Sequence, residues 1–210
     1  MFNTTAWNRL RYTAYAPFYD AVASRVLSRP REIALAQVAW EPGMRVLLVG
    51  AGTGLDLPFL PSNIELHATD LSPAMVKRTA DRATRMRRDA NCRVMDAEAL
   101  DYPDAHFDVV VMHFIVAVMP DPARGLVEAH RVLKPDGQLC VLDKFQPDNR
   151  TAGAGRRLLN AVTSAIATDI TRQATPLLNG AGFAVRDDKP VLMGSLFRAL
   201  IAEKQPPAPR

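Results

Sequence analysis

The chain contains only two cysteines in 210 residues, Cys92 and Cys140. Their spacing matches neither a C-x-x-C pair nor a set of metal ligands, so we expect reduced thiols in an intracellular protein. No apolar run reaches eighteen residues, and the longest candidate, 107–119, is interrupted by Asp108 and His113. We therefore expect no membrane-spanning helix. The first residues also lack the apolar segment of a secretory signal.

What the chain does contain is typical of one large domain. Hydrophobic residues make up 48% of the sequence and charged residues 23%, which provides enough apolar material for a substantial core. The formal net charge is +4. This modest excess is compatible with an anionic membrane surface or a nucleic acid and does not distinguish them. Basic residues are dense in 77–88, where a solvated helix face is the simpler interpretation.

Helix and strand patterns alternate along most of the chain, which predicts an α/β fold. We expect amphipathic helices in residues 1–42, the main domain in residues 43–204 and a flexible tail in residues 205–210. The predicted strands are 44–49, 64–69, 91–95, 107–112, 137–143, 184–189 and 191–203, with a bulge near Gly194. The predicted helices are 18–29, 30–39, 53–60, 72–88, 121–133 and 151–180, the last of them broken.

A glycine-rich turn follows the first predicted strand. Gly50, Gly52 and Gly54 form a G-x-G-x-G pattern, and residues without a β-carbon let a ligand approach the backbone closely. A dinucleotide-binding turn would have its third glycine at position 55, where this chain has Leu55. The spacing therefore favours S-adenosylmethionine, with the backbone around Ala51 among the expected contacts.

Two acidic residues complete the predicted cofactor site. Asp70 ends the second predicted strand, where a carboxylate can accept hydrogen bonds from both ribose hydroxyls. Asp96 follows the third strand, and with the backbone N–H of Ala97 it can recognise adenine. The alternative for Asp96 is that it only caps a turn. Leu71 and Met75 lie next to Asp70 in the sequence, and for Met75 a cofactor contact and a core position are equally reasonable.

Taken together, these motifs resemble those of class I S-adenosylmethionine-dependent methyltransferases. The segment 131–137, between a helix and a strand, is also typical of that family. The resemblance implies a Rossmann-like, seven-stranded, mostly parallel sheet of order 3-2-1-4-5-7-6. In it strand 7 is antiparallel, helices cover both faces, and the N-terminal helices form a lid.

Finer matches point to small bacterial phosphatidylethanolamine N-methyltransferases. The segments that carry this resemblance are 68–75, 113–122, 142–145, 168–172 and 194–198. It implies methylation of a phospholipid amine toward phosphatidylcholine, by a cytoplasmic protein peripherally bound to the cytoplasmic face of the membrane. A soluble small molecule or a quinone precursor remains an alternative acceptor, as does a non-enzymatic lipid-binding role. We expect no nucleic-acid substrate, because no Asn-Pro-Pro-Tyr type of segment follows the fourth strand.

Methyl transfer from a sulfonium needs no metal, but an amine acceptor must first lose a proton. The candidate catalytic residues are His113, Tyr15 and Tyr19. His113 follows a buried strand at the edge where α/β sites lie, so we expect it to contact the cofactor or the substrate; the alternative is a satisfied structural histidine. The tyrosine rings could hold cationic groups by cation–π contact, or simply pack the lid onto the core.

The N-terminal segment 2–16 has the composition of an interfacial helix. It combines Trp7 and other apolar residues with Arg9 and Arg11, as in helices that lie on anionic membranes. The alternative is that its apolar side packs on the domain. The sequence leaves open the number of methyl groups added, the preferred lipid, the proton acceptor and the oligomeric state.

Overall fold

The computed structural model describes residues 26–145, 172–193 and 196–205. Within them a single seven-stranded sheet has the order β3-β2-β1-β4-β5-β7-β6. Only β7 runs antiparallel to its neighbours, so the predicted fold class, strand order and reversed strand are confirmed. The strands are β1 (Arg45–Val49), β2 (Glu65–Asp70), β3 (Asn91–Val94), β4 (Phe107–His113), β5 (Leu133–Lys144), β6 (Phe183–Leu192) and β7 (Phe197–Lys204).

Helices cover both faces of this sheet. They are α1 (Ser28–Leu35), α2 (Pro73–Arg85), α3 (Pro122–Val132) and α4 (Ala174–Gly180). Side chains alternate along a strand, so Leu47 packs in a cluster with residues of α3 and α4, while its neighbour Leu48 packs in one with residues of α1 and α2. The central strands are nearly all apolar because both of their faces are buried.

The structure corrects the helix predicted at 53–60. The segment contains only a single 3₁₀ turn at Leu57–Phe59. Gly54 has a left-handed backbone, with φ +76°, which a right-handed helix cannot include. Leu60 is extended because the residue before a proline, here Pro61, is disfavoured in the helical region.

The terminal hairpin turns later than predicted. Pro190 was expected to separate two strands but lies inside β6, and the turn follows Leu192. A proline is tolerated there because β6 is at the edge of the sheet, where one side of the strand needs no hydrogen-bond partner. Gly194, the predicted bulge, lies outside the described residues.

Strand β5 is longer than predicted at its start. It begins at Leu133, directly after α3, and Leu133 pairs with Phe107 before the register shifts. The residues between the helix predicted at 121–133 and the strand predicted at 137–143 are therefore part of β5. Of the predicted helix 151–180, the described part is α4.

Most of the predicted N-terminal helical segment, including Tyr15 and Tyr19, lies outside the described residues. The helix in its described part is α1. This helix begins two residues earlier than the helix predicted at 30–39 and also ends four residues earlier. In the part of the chain that the structure describes, no helix is long and apolar enough to cross a membrane.

Candidate active site

A cavity of about 290 Å³ lies where the carboxyl ends of the parallel strands meet. Most of its lining comes from the residues that end or follow β1, β2, β3, β4 and β5, and Leu27, Arg31 and Phe197 complete it. Open α/β sheets bind ligands at this edge. Of the predicted cofactor residues, Gly54 does not line the cavity, and the others do: Gly50, Ala51, Gly52, Asp70, Leu71, Met75, Asp96, Ala97 and His113. The sequence therefore predicted a set of residues that the fold brings together.

The glycine loop between β1 and the 3₁₀ turn has a backbone that L-residues with side chains rarely adopt. Gly50, Gly52 and Gly54 have φ values of +67°, +58° and +76°. A β-carbon on Gly50 would lie 2.1 Å from Cδ1 of Ile115, whereas one on Gly52 would meet no heavy atom within 4 Å. Gly52 thus borders open space in the cavity, and its lack of a side chain leaves room for a ligand against the main chain.

We expect Gly52→Ala to impair cofactor binding far more than folding. The left-handed backbone of an alanine costs about 1–2 kcal/mol, and the added methyl group would occupy the open space beside the loop. The expected result is a small loss of stability in urea unfolding and a loss of S-adenosylhomocysteine affinity of more than about tenfold, or 1.4 kcal/mol, by calorimetry.

Gly43→Ala is the matched control for this substitution. Gly43 also has a positive φ, +79°, and open space at its β-carbon position, but it does not line the cavity. It should show a similar stability loss and normal cofactor affinity. Equal affinities in the two variants would contradict the role assigned to Gly52.

Asp70 connects the glycine loop to the end of β2. Its Oδ2 accepts a hydrogen bond from the backbone N–H of Gly52 at 2.9 Å, and its Oδ1 accepts one from Ser72 N–H at 2.9 Å. Burial raises the pKa of Asp70, and these two N–H groups act against that rise. Each carboxylate oxygen has a further lone pair, so the group fits a diol such as the ribose of a nucleoside.

The positions of Asp96 and Met75 are compatible with both interpretations that the sequence left open. Oδ1 of Asp96 accepts the N–H of Glu98 at 2.9 Å, which is the turn-capping contact, and the residue also lines the cavity. Met75 is buried, with 4% of its surface exposed, and borders the same space. The site therefore offers a polar acceptor and an apolar surface to an adenine ring.

His113 ends β4 and lines the cavity, but its ring belongs to a buried polar network. Nδ1 lies 2.7 Å from Oδ1 of Asp56, and Nε2 lies 3.5 Å from Sγ of Cys140. The other oxygen of Asp56 accepts a hydrogen bond from Nη1 of Arg31. Because both ring nitrogens face buried partners, this geometry favours the structural interpretation of His113, and its role as a base stays a hypothesis.

The Asp56 carboxylate is charged although it is fully buried. Burial alone would raise its pKa, but the nearby Arg31 guanidinium and the His113 ring outweigh that effect and hold the pKa well below its usual range. Arg31, Asp56 and His113 are each at most 6% exposed. Sequence reasoning missed Arg31 and Asp56, which lie in segments where it placed ordinary helices.

Asp143 is another cavity residue that the sequence analysis did not single out. It ends β5 beside Lys144, and both of its oxygens accept backbone hydrogen bonds, Oδ2 from Ala117 and Oδ1 from Lys144. Burial raises the pKa of Asp143. The available signal was the one used for Asp70, a carboxylate at the end of a buried strand.

Comparison with known proteins agrees with this geometry. A family model described as a methyltransferase domain matches residues 47–141. A phosphatidylethanolamine N-methyltransferase of Cereibacter sphaeroides is 35% identical over 143 residues, 67% of this chain and 70% of that protein. A demethylmenaquinone methyltransferase of Renibacterium salmoninarum is 36% identical over 138 residues, 63% of this chain and 56% of that protein. The solved structure of the [4+2]-cyclase SpnF shares the fold, with a TM-score of 0.81 and 21% identity over 96% of this chain and 97% of that one.

The sheet order, the glycine loop and the carboxylate at the end of β2 define an α/β protein that binds a nucleoside-bearing cofactor at its switch point. Within that class, the chain belongs to the S-adenosylmethionine-dependent methyltransferases. Its cofactor is S-adenosylmethionine.

Proposed function

We propose that the protein methylates the amino nitrogen of phosphatidylethanolamine and of its methylated intermediates, toward phosphatidylcholine. The similarity to the Cereibacter sphaeroides enzyme carries this proposal, since it extends over 70% of that protein. Four of the segments that resemble phosphatidylethanolamine N-methyltransferases contribute to the wall of the cavity: 68–75, 113–122, 142–145 and 194–198. This position at the cavity wall supports the proposed substrate.

The acceptor nitrogen must be neutral before it can attack the methyl group that S-adenosylmethionine supplies. An alkylammonium has a pKa of about 10, by analogy with lysine. An apolar environment lowers that value, and Ile115, Val118 and Met119 contribute such surface to the cavity. The protein's main tasks are then to align donor and acceptor and to receive a proton.

Asp143 is well placed to orient the amine. It lines the cavity from the end of β5, and a carboxylate accepts hydrogen bonds from an ammonium group. The two backbone N–H groups that it accepts hold its side chain in position. Its raised pKa, caused by burial, also suits it to take the proton that the amine must lose. Tyr15, Tyr19 and His113 remain the proposed alternatives for contact with the reacting groups.

We also propose that the segment 2–16 brings the protein to the cytoplasmic face of an anionic membrane. The support is its composition, in which Trp7 accompanies Arg9 and Arg11. Each basic side chain near anionic lipid contributes on the order of 1 kcal/mol to binding. A protein that works on a phospholipid from outside the bilayer needs such contact.

A quinone precursor is the second candidate acceptor. The demethylmenaquinone methyltransferase of Renibacterium salmoninarum is as similar in identity, 36%, but this chain covers only 56% of its length. Both candidates would use the same glycine loop and Asp70. They differ in the acceptor atom, because a quinone ring presents no ammonium to Asp143.

Incubation with S-adenosylmethionine and vesicles of phosphatidylethanolamine and phosphatidylglycerol tests the proposal. Mass spectrometry should detect mono-, di- or trimethylated phosphatidylethanolamine. Soluble amines and a demethylated quinone analogue are assayed beside the vesicles. Methylation of the quinone analogue or a soluble amine, with none of the lipid, would overturn the lipid assignment and leave the methyltransferase assignment intact.

A further inference from the structure

Two cations and two aromatic rings form a cluster in the wall of the cavity. The cluster consists of Arg31, Phe114, Lys144 and Phe197, all of which line the cavity. Cζ of Arg31 lies 4.7 Å from the centre of the Phe114 ring, and Nζ of Lys144 lies 5.6 Å from the centre of the Phe197 ring. The two rings meet edge to face, with their centres 6.0 Å apart. The cluster therefore combines positive charge with apolar surface.

Arg31 has donors that its known partners do not use. Nη1 binds Asp56, but the buried Nε has no hydrogen-bond partner among the described residues. Nε is enclosed by protein, so Arg31 contributes its positive charge to the cavity wall rather than this donor. Phe114 has a positive φ of +59°, a strained conformation that is found most often at functional sites.

Lys144 supplies the second cation. Its ammonium group lies over the Phe197 ring and makes no ion pair with any residue in the described ranges, although its charge acts on the neighbouring Asp143 and works against the rise that burial causes in the pKa of that carboxyl group. The carboxylate of the neighbouring Asp143 accepts hydrogen bonds from two backbone N–H groups. Lys144 thus places a cation in the cavity wall, where an entering anion can pair with it.

The remaining charged groups of the cavity wall are acidic. Asp70, Asp96, Glu98 and Asp143 all border it, and like charges disfavour an anion near them. An anionic acceptor would therefore be placed by the cluster. Asp143 and Lys144 both line the cavity from the end of β5, so one cavity borders a candidate amine site and a candidate anion site, as an acceptor that carries both groups requires.

We propose that the Arg31–Lys144 cluster binds the phosphodiester of the acceptor, with its apolar rings against the adjoining part of the lipid. This inference rests on the proposed phospholipid substrate and adds the residues that select it. A neutral acceptor would gain nothing from the two cations. The cluster therefore determines specificity for phosphate-bearing amines.

The test compares Lys144→Met with Lys144→Arg, and uses Lys77→Met as the control. Lys77 is on α2, pairs with Asp81 and is largely exposed. We expect Lys144→Met to raise KM for phosphatidylethanolamine vesicles about tenfold, with kcat little changed, because the variant loses a charge-assisted contact with the phosphodiester. Lys144→Arg should restore KM. KM for stearylamine, a lipid amine without phosphate, should stay the same in every variant.

A binding measurement separates this inference from the substrate proposal. Calorimetry with S-adenosylhomocysteine-loaded protein measures affinity for glycerophosphoethanolamine and, in a second arm, for inorganic phosphate. Lys144→Met should weaken glycerophosphoethanolamine binding, while vesicle co-sedimentation and S-adenosylhomocysteine affinity stay unchanged. If the wild type methylates no lipid, this loss of affinity would still support the anion site.

Two results would overturn the inference. The first is that Lys144→Met and the wild type bind glycerophosphoethanolamine with the same affinity and have the same KM for any lipid that they methylate. The other is equal affinity for inorganic phosphate and for glycerophosphoethanolamine, which would remove the head-group assignment. Arg31→Lys, which keeps the charge but loses the fork of donors, should give a smaller effect in the same direction, checked against its unfolding curve.

Discussion

Replacing Asp70 with alanine should reduce S-adenosylhomocysteine affinity about a hundredfold or more while the protein stays folded. The carboxylate lines the cavity and offers each ribose hydroxyl a charged acceptor. A hydrogen bond to a charged group contributes about 1.5–3 kcal/mol, and two such bonds correspond to at least a hundredfold in affinity. The substitution also frees the backbone N–H of Gly52, which Asp70 fixes at 2.9 Å. Calorimetry measures the affinity directly.

The fold should tolerate this change because Asp70 is a poor source of stability. Burial raises its pKa, so the folded state disfavours the charged form that the cofactor needs. Because the pKa of Asp70 is higher in the folded than in the unfolded protein, the ionised carboxylate lowers the free energy of unfolding at neutral pH. This cost disappears as pH falls below the usual carboxylate range. Its removal therefore offsets part of the loss from the two unpaired N–H groups.

Asp108→Ala is the matched control for Asp70→Ala. Asp108 also accepts a backbone N–H, that of Arg45 at 2.8 Å, but it lies near the start of β4 and does not line the cavity. It should lower stability and leave cofactor affinity unchanged. An Asp70→Ala variant that bound S-adenosylhomocysteine as tightly as the wild type would refute the assignment of the cofactor site.

The cofactor half of the site could be predicted because its parts are local. Gly50, Gly52 and Asp70 lie at the ends of two strands that are consecutive in the sequence and adjacent in the sheet. Once both strands are recognised, the right-handed crossover places their carboxyl ends together. No long-range information is needed for that step.

The acceptor half could not be predicted in the same way. Arg31 comes from a helix before the sheet, Lys144 ends β5, and Phe197 begins β7, so their proximity depends on the complete strand order. The role of Asp56 was missed because the sequence predicted a helix at 53–60. In the observed turn it points inward to Arg31 and His113, and nothing in its own sequence segment identifies those partners.

Asp56→Ala should be among the most destabilising single substitutions in the described structure. It removes the carboxylate that joins Arg31 and His113 and leaves a buried guanidinium without its counter-ion. Breaking a buried pair in this way costs about 3–5 kcal/mol, a large fraction of the stability of an ordinary domain. Urea unfolding at neutral pH measures the loss. Asp81→Ala, which breaks only the exposed pair with Lys77, is the control and should have no measurable effect.

The acid limb of the stability curve gives an independent check on Asp56. Arg31 and His113 outweigh burial and hold its folded pKa well below the unfolded value, so its stabilising contribution is complete above the usual aspartate pKa and is lost as pH falls through the lower folded value. Asp56→Asn keeps the shape of the side chain but cannot ionise. At neutral pH the Asp56→Asn variant should therefore be less stable than the wild type. Below about pH 4, the unfolded aspartate pKa, its stability should fall less than that of the wild type. Parallel acid limbs for Asp56→Asn and the wild type would show that the Asp56 charge does not hold Arg31 and His113 in place.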